Sequence, residues 1–123
     1  MSKVSTLMFL GALSLAGLSS AAVAHPKLTQ TAPEANAIVA TGPNEIRLTF
    51  NESLEASFSG AEIKNEGGKK IETGKVSTDP KNPKQLVIPL SAPLAPGAYK
   101  VTWHAVASDS HRVKGSYSFT VKP

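Results

Sequence analysis

The chain has 123 residues, with 13 basic and nine acidic side chains and no cysteine. The absence of cysteine excludes disulfide bonds, thiolate nucleophiles and thiolate metal ligands. The formal charge of +4 at pH 7 is mild, and the basic residues are dispersed along the sequence. Nucleic-acid-binding domains usually gather such residues into a stripe with stacking aromatics, so we predict that nucleic acid is not a partner.

Residues 1–24 have the pattern of a secretory signal peptide. Lys3 precedes a short apolar run at residues 8–13, and the segment ends in the small-x-small sequence Ala22-Val23-Ala24. The apolar run is shorter than the ~20 residues that a membrane-spanning helix needs. We therefore predict export, cleavage after Ala24, and no membrane insertion of the mature chain.

The predicted mature chain, residues 25–123, has the size of one domain. Loss of Lys3 leaves 12 basic residues against nine acidic ones, a formal charge of +3. Without disulfides, a domain of this size must be stabilised by its core alone.

In chain order, apolar and polar residues alternate at 46–50, 98–106 and 117–121, a pattern typical of half-buried strands. In the longest segment, the side chains predicted to face the core are Tyr99, Val101, Trp103 and Ala105, and those predicted to face solvent are Lys100, Thr102 and His104. Glycine- and proline-rich turns separate the strands, and no segment has a sustained helical period. About seven short strands predict an all-β fold, either a two-sheet Greek-key sandwich or a small barrel.

Signal cleavage would make His25 the first residue, where its α-amine and imidazole can close one chelate ring on a metal ion. The following residue, Pro26, has no backbone N–H and cannot provide the deprotonated amide nitrogen that copper often recruits from free peptides. Further ligands must therefore come from elsewhere in the chain.

Asp109 and His111 are candidates for those ligands, while Asp109 also fits ordinary turn chemistry and His111 also fits an exposed loop imidazole. In an extended segment, residues at i and i+2 project to the same side. With His25 they would form a nitrogen and oxygen donor set, which suits tetragonal Cu(II). Both methionines lie in the signal segment, so the mature chain has no soft sulfur ligand for Cu(I). We predict one Cu(II) per chain.

Several stretches carry a family resemblance, in order, over nearly the whole mature chain. They are His25-Pro26-Lys27-Leu28, Leu48-Thr49-Phe50-Asn51-Glu52, Phe58-Ser59-Gly60-Ala61, the run from Pro96 to Trp103, Ser108-Asp109-Ser110-His111, and the run from Gly115 to Phe119. With these stretches the sequence resembles the CopC family of periplasmic copper-binding proteins.

The resemblance implies a seven-stranded cupredoxin-like or immunoglobulin-like β-sandwich in the periplasm that binds Cu(II) and serves copper resistance, homeostasis or uptake. It implies that His25 supplies amine and imidazole and that Asp109 and His111 supply the remaining ligands. Glu52 matches a family glutamate near the metal and is expected to support the ligands rather than to bind the ion; His104 is a second candidate for such a supporting role, and whether either residue touches the ion stays open. An inner-membrane copper permease or another periplasmic copper protein would be the partner.

The sequence departs from part of the family at two places. Some members have a methionine-rich loop for Cu(I), but residues 63–84 contain no methionine. His104 follows the tryptophan where many members have arginine, and its role stays open. Both Glu52, at a strand end, and His104, on a polar strand face, also fit the description of ordinary solvated side chains.

Two other function classes remain open. A terminal histidine chelate joined by a second histidine, the histidine brace, is also the copper unit of oxidative polysaccharide-cleaving enzymes. Such an enzyme needs an open coordination position, which an aspartate ligand would close, and a broad docking surface, which a small sandwich lacks. The other alternative is a metal-free immunoglobulin-like interaction module. We predict a binding protein without catalytic turnover.

Overall fold

The computed structural model describes residues 25–123, and the predicted signal peptide lies outside the described residues. The described chain forms nine strands and one short 3-10 helix at Ala56–Phe58. The strands are β1 (Leu28–Ala32), β2 (Ile38–Val39), β3 (Glu45–Phe50), β4 (Gly60–Asn65), β5 (Lys70–Ile71), β6 (Ser77–Asp79), β7 (Asn82–Pro89), β8 (Gly97–Val106) and β9 (Arg112–Val121).

The strands form two sheets, which confirms the predicted all-β sandwich. One sheet has the order β1-β3-β7-β6 and the other has the order β2-β9-β8-β4-β5. All pairs are antiparallel except β2 with β9. β2 and β5 have two residues each, so seven strands are longer than that, the number expected from the sequence.

The core lies between the two sheets and is built from alternate residues of their strands. In β8 the buried and exposed positions alternate as predicted from Tyr99 to Ala105. The largest fully buried side chains are Phe50, Phe119, Ile46, Leu48, Ile63, Leu86, Ile88 and Val101. Burial of these side chains is the main source of stability in a fold without disulfides.

The body of the β8–β9 hairpin is tightly packed around Trp103. The Trp103 ring meets Phe50 of the opposite sheet edge to face, with ring centroids 5.3 Å apart. On β9, Gly115 lies directly opposite Trp103, and a Cβ atom there would approach the indole to 2.5 Å. Only glycine fits under the indole without displacing it.

Within residues 25–123, no helix is long and apolar enough to cross a membrane.

Candidate metal centre

The residues that precede β1 are fixed to the end of β3. Asn51 accepts a hydrogen bond from the Lys27 N–H through Oδ1 (2.7 Å) and donates its own N–H to the Lys27 carbonyl (3.0 Å). We call this pair of hydrogen bonds the Lys27–Asn51 clasp. Pro26 is buried, whereas His25 is exposed. The clasp and the buried proline together place His25 at one end of the sandwich.

The second part of the centre is the tip of the β8–β9 hairpin, residues 107–111. The tip is a closed turn, in which Ala107 N–H donates to the His111 carbonyl (2.9 Å) and Ser110 N–H donates to the Ala107 carbonyl (2.8 Å). Ser108 N–H donates to the Ser53 carbonyl (3.0 Å), which joins the tip to the segment after β3. The same segment therefore supports both halves of the centre, through Asn51 and Ser53.

The tip differs from the expectation that Asp109 and His111 lie in an extended segment. Ser110, between them, has a φ of 75° in the left-handed region. Side chains at i and i+2 of a strand share a face but are separated by two residues of rise. The turn brings them closer, because the Asp109 carboxylate reaches the imidazole of His111 directly.

Asp109 contacts His111 twice. Its Oδ1 accepts a hydrogen bond from the His111 backbone N–H (3.1 Å), and its Oδ2 lies 2.7 Å from His111 Nδ1. The side-chain hydrogen bond from His111, followed by the one from its backbone, holds the pKa of Asp109 below its ordinary value. The carboxylate is therefore ionised at neutral pH and available as an anionic donor.

The fold brings His25 and His111 together although they are far apart in the sequence. Their rings meet edge to face with centroids 5.3 Å apart and planes 69° apart. All three residues predicted as ligands thus lie at one end of the sandwich, with His111 in contact with each of the other two.

Among residues 25–123, no group of three or more histidine or acidic side chains is arranged as a complete metal-binding cluster. In the full-length chain the nitrogen of His25 is a peptide nitrogen, since Ala24 precedes it. A peptide N–H is not a metal donor until it is deprotonated, whereas the free amine expected after cleavage is one. The donor set that the sequence predicts includes this amine, so side chains alone do not complete it.

The spacing between Asp109 and His111 suits two ligands of one ion. Donors at about 2.0 Å from a metal, at neighbouring corners of a square, lie about 2.8 Å from each other. The Oδ2 to Nδ1 distance is 2.7 Å. The two atoms are therefore close enough to serve as neighbouring ligands of one ion, once the imidazole turns so that the Nδ1 lone pair points to the ion instead of to Oδ2.

Glu52 and His104, the other two residues singled out in the sequence, are not part of this contact group. Glu52 is half-buried between Asn51 and Ser53, in the segment that supports the centre, and has no hydrogen bond to His25 or His111 in the described residues. His104 lies on the outward face of β8, opposite Gly60 of β4. A Cβ atom on Gly60 would come within 3.1 Å of the His104 ring, so the imidazole covers that glycine.

Sequence reasoning missed the supporting role of Asn51 and Ser53. Both follow an alternating strand at its polar end, where asparagine and serine often bond to nearby backbone groups. That signal predicts a cap or a turn, but it does not identify Lys27 or Ser108 as the partner. Those pairings depend on how the two sheets are assembled.

The CopC domain family model matches residues 28–122. The chain belongs to the CopC family. Protein YobA of Escherichia coli strain K12 is 43% identical over 99 residues, which cover 80% of each chain. Copper resistance protein C of Escherichia coli is 40% identical over 113 residues, covering 86% of this chain and 88% of the relative.

Among solved structures, CopC from Methylosinus trichosporium OB3b superimposes with a TM-score of 0.74. It is 32% identical, and the match covers 80% of this chain and 95% of that one. The β-sandwich and the family membership implied by the sequence resemblance are thereby confirmed.

Proposed function

We propose that this CopC-family protein is exported to the periplasm, binds one Cu(II) through His25, Asp109 and His111, and serves copper resistance or homeostasis. The observation that supports the proposal most is the meeting of His25 with His111, whose rings lie 5.3 Å apart, beside an ionised Asp109. A named copper resistance protein that is 40% identical supports the choice of metal.

Each residue has a separate role in this proposal. His25 supplies its amine and imidazole as a chelate, which anchors the ion at the chain terminus. Asp109 and His111 supply one oxygen and one nitrogen from the hairpin tip. Because these donors are nitrogen and oxygen atoms only, the site favours Cu(II) over Cu(I), and reduction releases the ion.

The experiment is a Cu(II) titration of protein that begins at His25, followed by electron paramagnetic resonance of the one-to-one complex. We expect one tight tetragonal site with nitrogen couplings, and loss of that signal in His25→Ala and His111→Ala. His104→Ala is the matched control, because His104 lies on the sheet face and should leave the signal unchanged. Weak binding by the processed protein would overturn the proposal.

The role of Asp109 can be tested separately with Asp109→Asn. If Asp109 only orients His111, an asparagine oxygen still accepts the hydrogen bond from Nδ1, and copper affinity stays within a few-fold. If Asp109 is a ligand, the loss of an anionic oxygen lowers affinity more strongly and changes the resonance parameters. We expect the second result, because the ionised carboxylate of Asp109 is partly exposed beside the two histidines.

An enzymatic role is the second candidate, since a histidine brace also serves oxidative catalysis. Three relatives are named copper resistance protein C, which favours capture of the ion over turnover. Oxygen consumption by the copper-loaded protein in the presence of a reductant distinguishes copper capture from oxidative catalysis. We expect none above the rate of free copper, and sustained consumption would favour the enzyme.

The destination of the copper is a further part of the proposal. The candidates are an inner-membrane permease and another periplasmic copper protein. One relative, the copper transport protein CutJ of Bacillus subtilis, contains the matching region as 20% of its length, at 27% identity. The name of that relative favours a partner that transports copper.

A further inference from the structure

The outward face of the five-stranded sheet carries a concentration of positive charge. Strands β4, β5, β8 and β9 contain five cationic side chains and a single carboxylate, Glu62. We call the five cations the basic face: Lys64, Lys70, Lys100, Arg112 and Lys114. Their net contribution with Glu62 is +4, larger than the +3 of residues 25–123 as a whole.

Strand register places these cations on one side of the sheet. Lys64 lies directly opposite Lys70 of β5 and also directly opposite Lys100 of β8. Three lysines therefore form a continuous row across three strands. Arg112 and Lys114 of β9 continue the face, since Lys114 pairs with His104, which has the same orientation as Lys100.

These cations have few internal partners. Among the described residues, the basic face has a single ion pair, between Lys64 and Glu62 at 3.4 Å. Like charges directly opposite one another in a sheet repel. Among the described residues, the other four cations of the basic face have no ion pair, so their charge is available to an external anionic group.

A groove adjoins the basic face at the end nearest the metal centre. It has a volume of about 340 Å³, and its walls include the ring of Phe58, the apolar residues Val106 and Val113, and the cations Arg112 and Lys114. Phe58 is 62% exposed, in a chain where most large apolar side chains are buried. The groove thus combines an apolar wall with two positive charges.

We propose that this groove and the basic face dock an acidic segment of another protein, with one apolar side chain in the groove and carboxylates on the surrounding cations. Anionic lipid headgroups also bind lysine-rich faces, but they need only positive charge and no apolar groove. An apolar groove flanked by cations instead fits a peptide in which one apolar side chain enters the groove and the neighbouring carboxylates contact the cations. The observations therefore favour a protein partner over a lipid surface.

The location of the docking site gives it a functional meaning. Arg112 directly follows His111 in the chain, so a segment in the groove would lie beside the proposed copper ligands. Docking itself requires no copper, and its test is therefore independent of the metal-binding proposal.

The test uses nuclear magnetic resonance of the labelled, metal-free protein that begins at His25. The probe is an acetylated peptide in which glutamates flank a single phenylalanine, and a second peptide has serine in place of phenylalanine. We expect saturable shifts at Phe58 and in β8 and β9, weaker binding of the serine peptide, and loss of affinity as salt is added. No binding of the phenylalanine peptide at low salt would overturn the proposal.

Charge reversal provides the matched comparison. The double variant Arg112→Glu with Lys114→Glu should lower peptide affinity by about tenfold or more, because like charges then face each other. The double variant Lys81→Glu with Lys84→Glu makes the same change in net charge at the opposite sheet, where both lysines are exposed, and should have little effect. An equal loss in both would indicate binding by net charge alone and would overturn the proposal. Binding of phosphatidylglycerol vesicles but not of the peptide would identify lipid as the occupant instead.

Discussion

The body and the tip of the β8–β9 hairpin are continuous in the chain but differ in what holds them. In the body, Trp103 is 8% exposed, packs on Phe50 and lies against Gly115. At the tip, the side chains of Asp109 and His111 are 47% and 37% exposed and are positioned by a few hydrogen bonds. The body stabilises the fold, whereas the tip presents donors at little cost to the core. Changes at the two places should therefore separate stability from copper binding.

The largest effect is expected from one additional residue ahead of His25. The added residue converts the terminal amine into an amide and removes one ring of the chelate, so Cu(II) affinity should fall by about two orders of magnitude or more. Competition titration against a chelator measures the loss. The unfolding midpoint of the metal-free protein should not change, since the core is untouched, and unchanged affinity would rule out the terminal chelate.

Gly115→Ala should have the opposite effect, because it should lower the stability of the fold and leave copper affinity unchanged. A Cβ atom there would lie 2.5 Å from the Trp103 ring, and such overpacking costs about 1–3 kcal/mol. Urea unfolding followed by the fluorescence of Trp103, the single tryptophan of the chain, measures this cost. Cu(II) affinity of the folded variant should match that of the parent protein. A variant of unchanged stability with impaired copper binding would contradict the idea that the hairpin body determines stability and the tip determines copper binding.

The pH dependence of copper binding distinguishes the donors at the tip. Nitrogen ligands must be deprotonated to bind a metal ion, so copper affinity should fall as the pH is lowered toward about 6. The pKa of Asp109 is lowered by His111, so this carboxylate is already ionised throughout that range and adds nothing to the slope. Asp109→Asn should lower copper affinity at every pH in that range, because an anionic donor is lost. Unchanged affinity in that variant would contradict the assignment of Asp109 as a ligand.

The smallest effect is expected on the outward side of the hairpin body. Lys100→Gln removes one member of the lysine row and should stabilise the metal-free protein by about 0.2–1 kcal/mol at low salt. The gain should shrink as salt is added, because screening weakens the repulsion. Lys84→Gln, on the other sheet, is the control. Destabilisation by Lys100→Gln would mean that the row is not under repulsion.

The hairpin body was predictable from the sequence, and the tip was predictable only in part. Alternation from Tyr99 to Ala105 defines an inner and an outer face, because side chains in a strand point to opposite sides in turn. Asp109 and His111 were identified as a pair by their spacing, but the left-handed Ser110 that joins them was not. Glycine in a sequence indicates where the backbone can adopt a left-handed conformation, whereas serine gives no comparable indication.

Long-range features were the least predictable. The basic residues are dispersed in the sequence, yet register brings Lys64, Lys70 and Lys100 into one row. The two-residue strands β2 and β5 are too short for any period to be visible. Neither the row nor the contact between His25 and His111 follows from local pattern, because each depends on which strands become neighbours.

The Lys27–Asn51 clasp has a consequence for how the protein must be made. Only two residues separate the clasp from the proposed cleavage point, so the first residue is held in a fixed register with the hairpin tip. Cleavage one bond later would present Pro26, a secondary amine without an imidazole, and cleavage one bond earlier would present Ala24. The accuracy of signal processing, to a single peptide bond, would then decide whether an exported molecule can carry copper, and mass spectrometry of the mature terminus would measure the competent fraction.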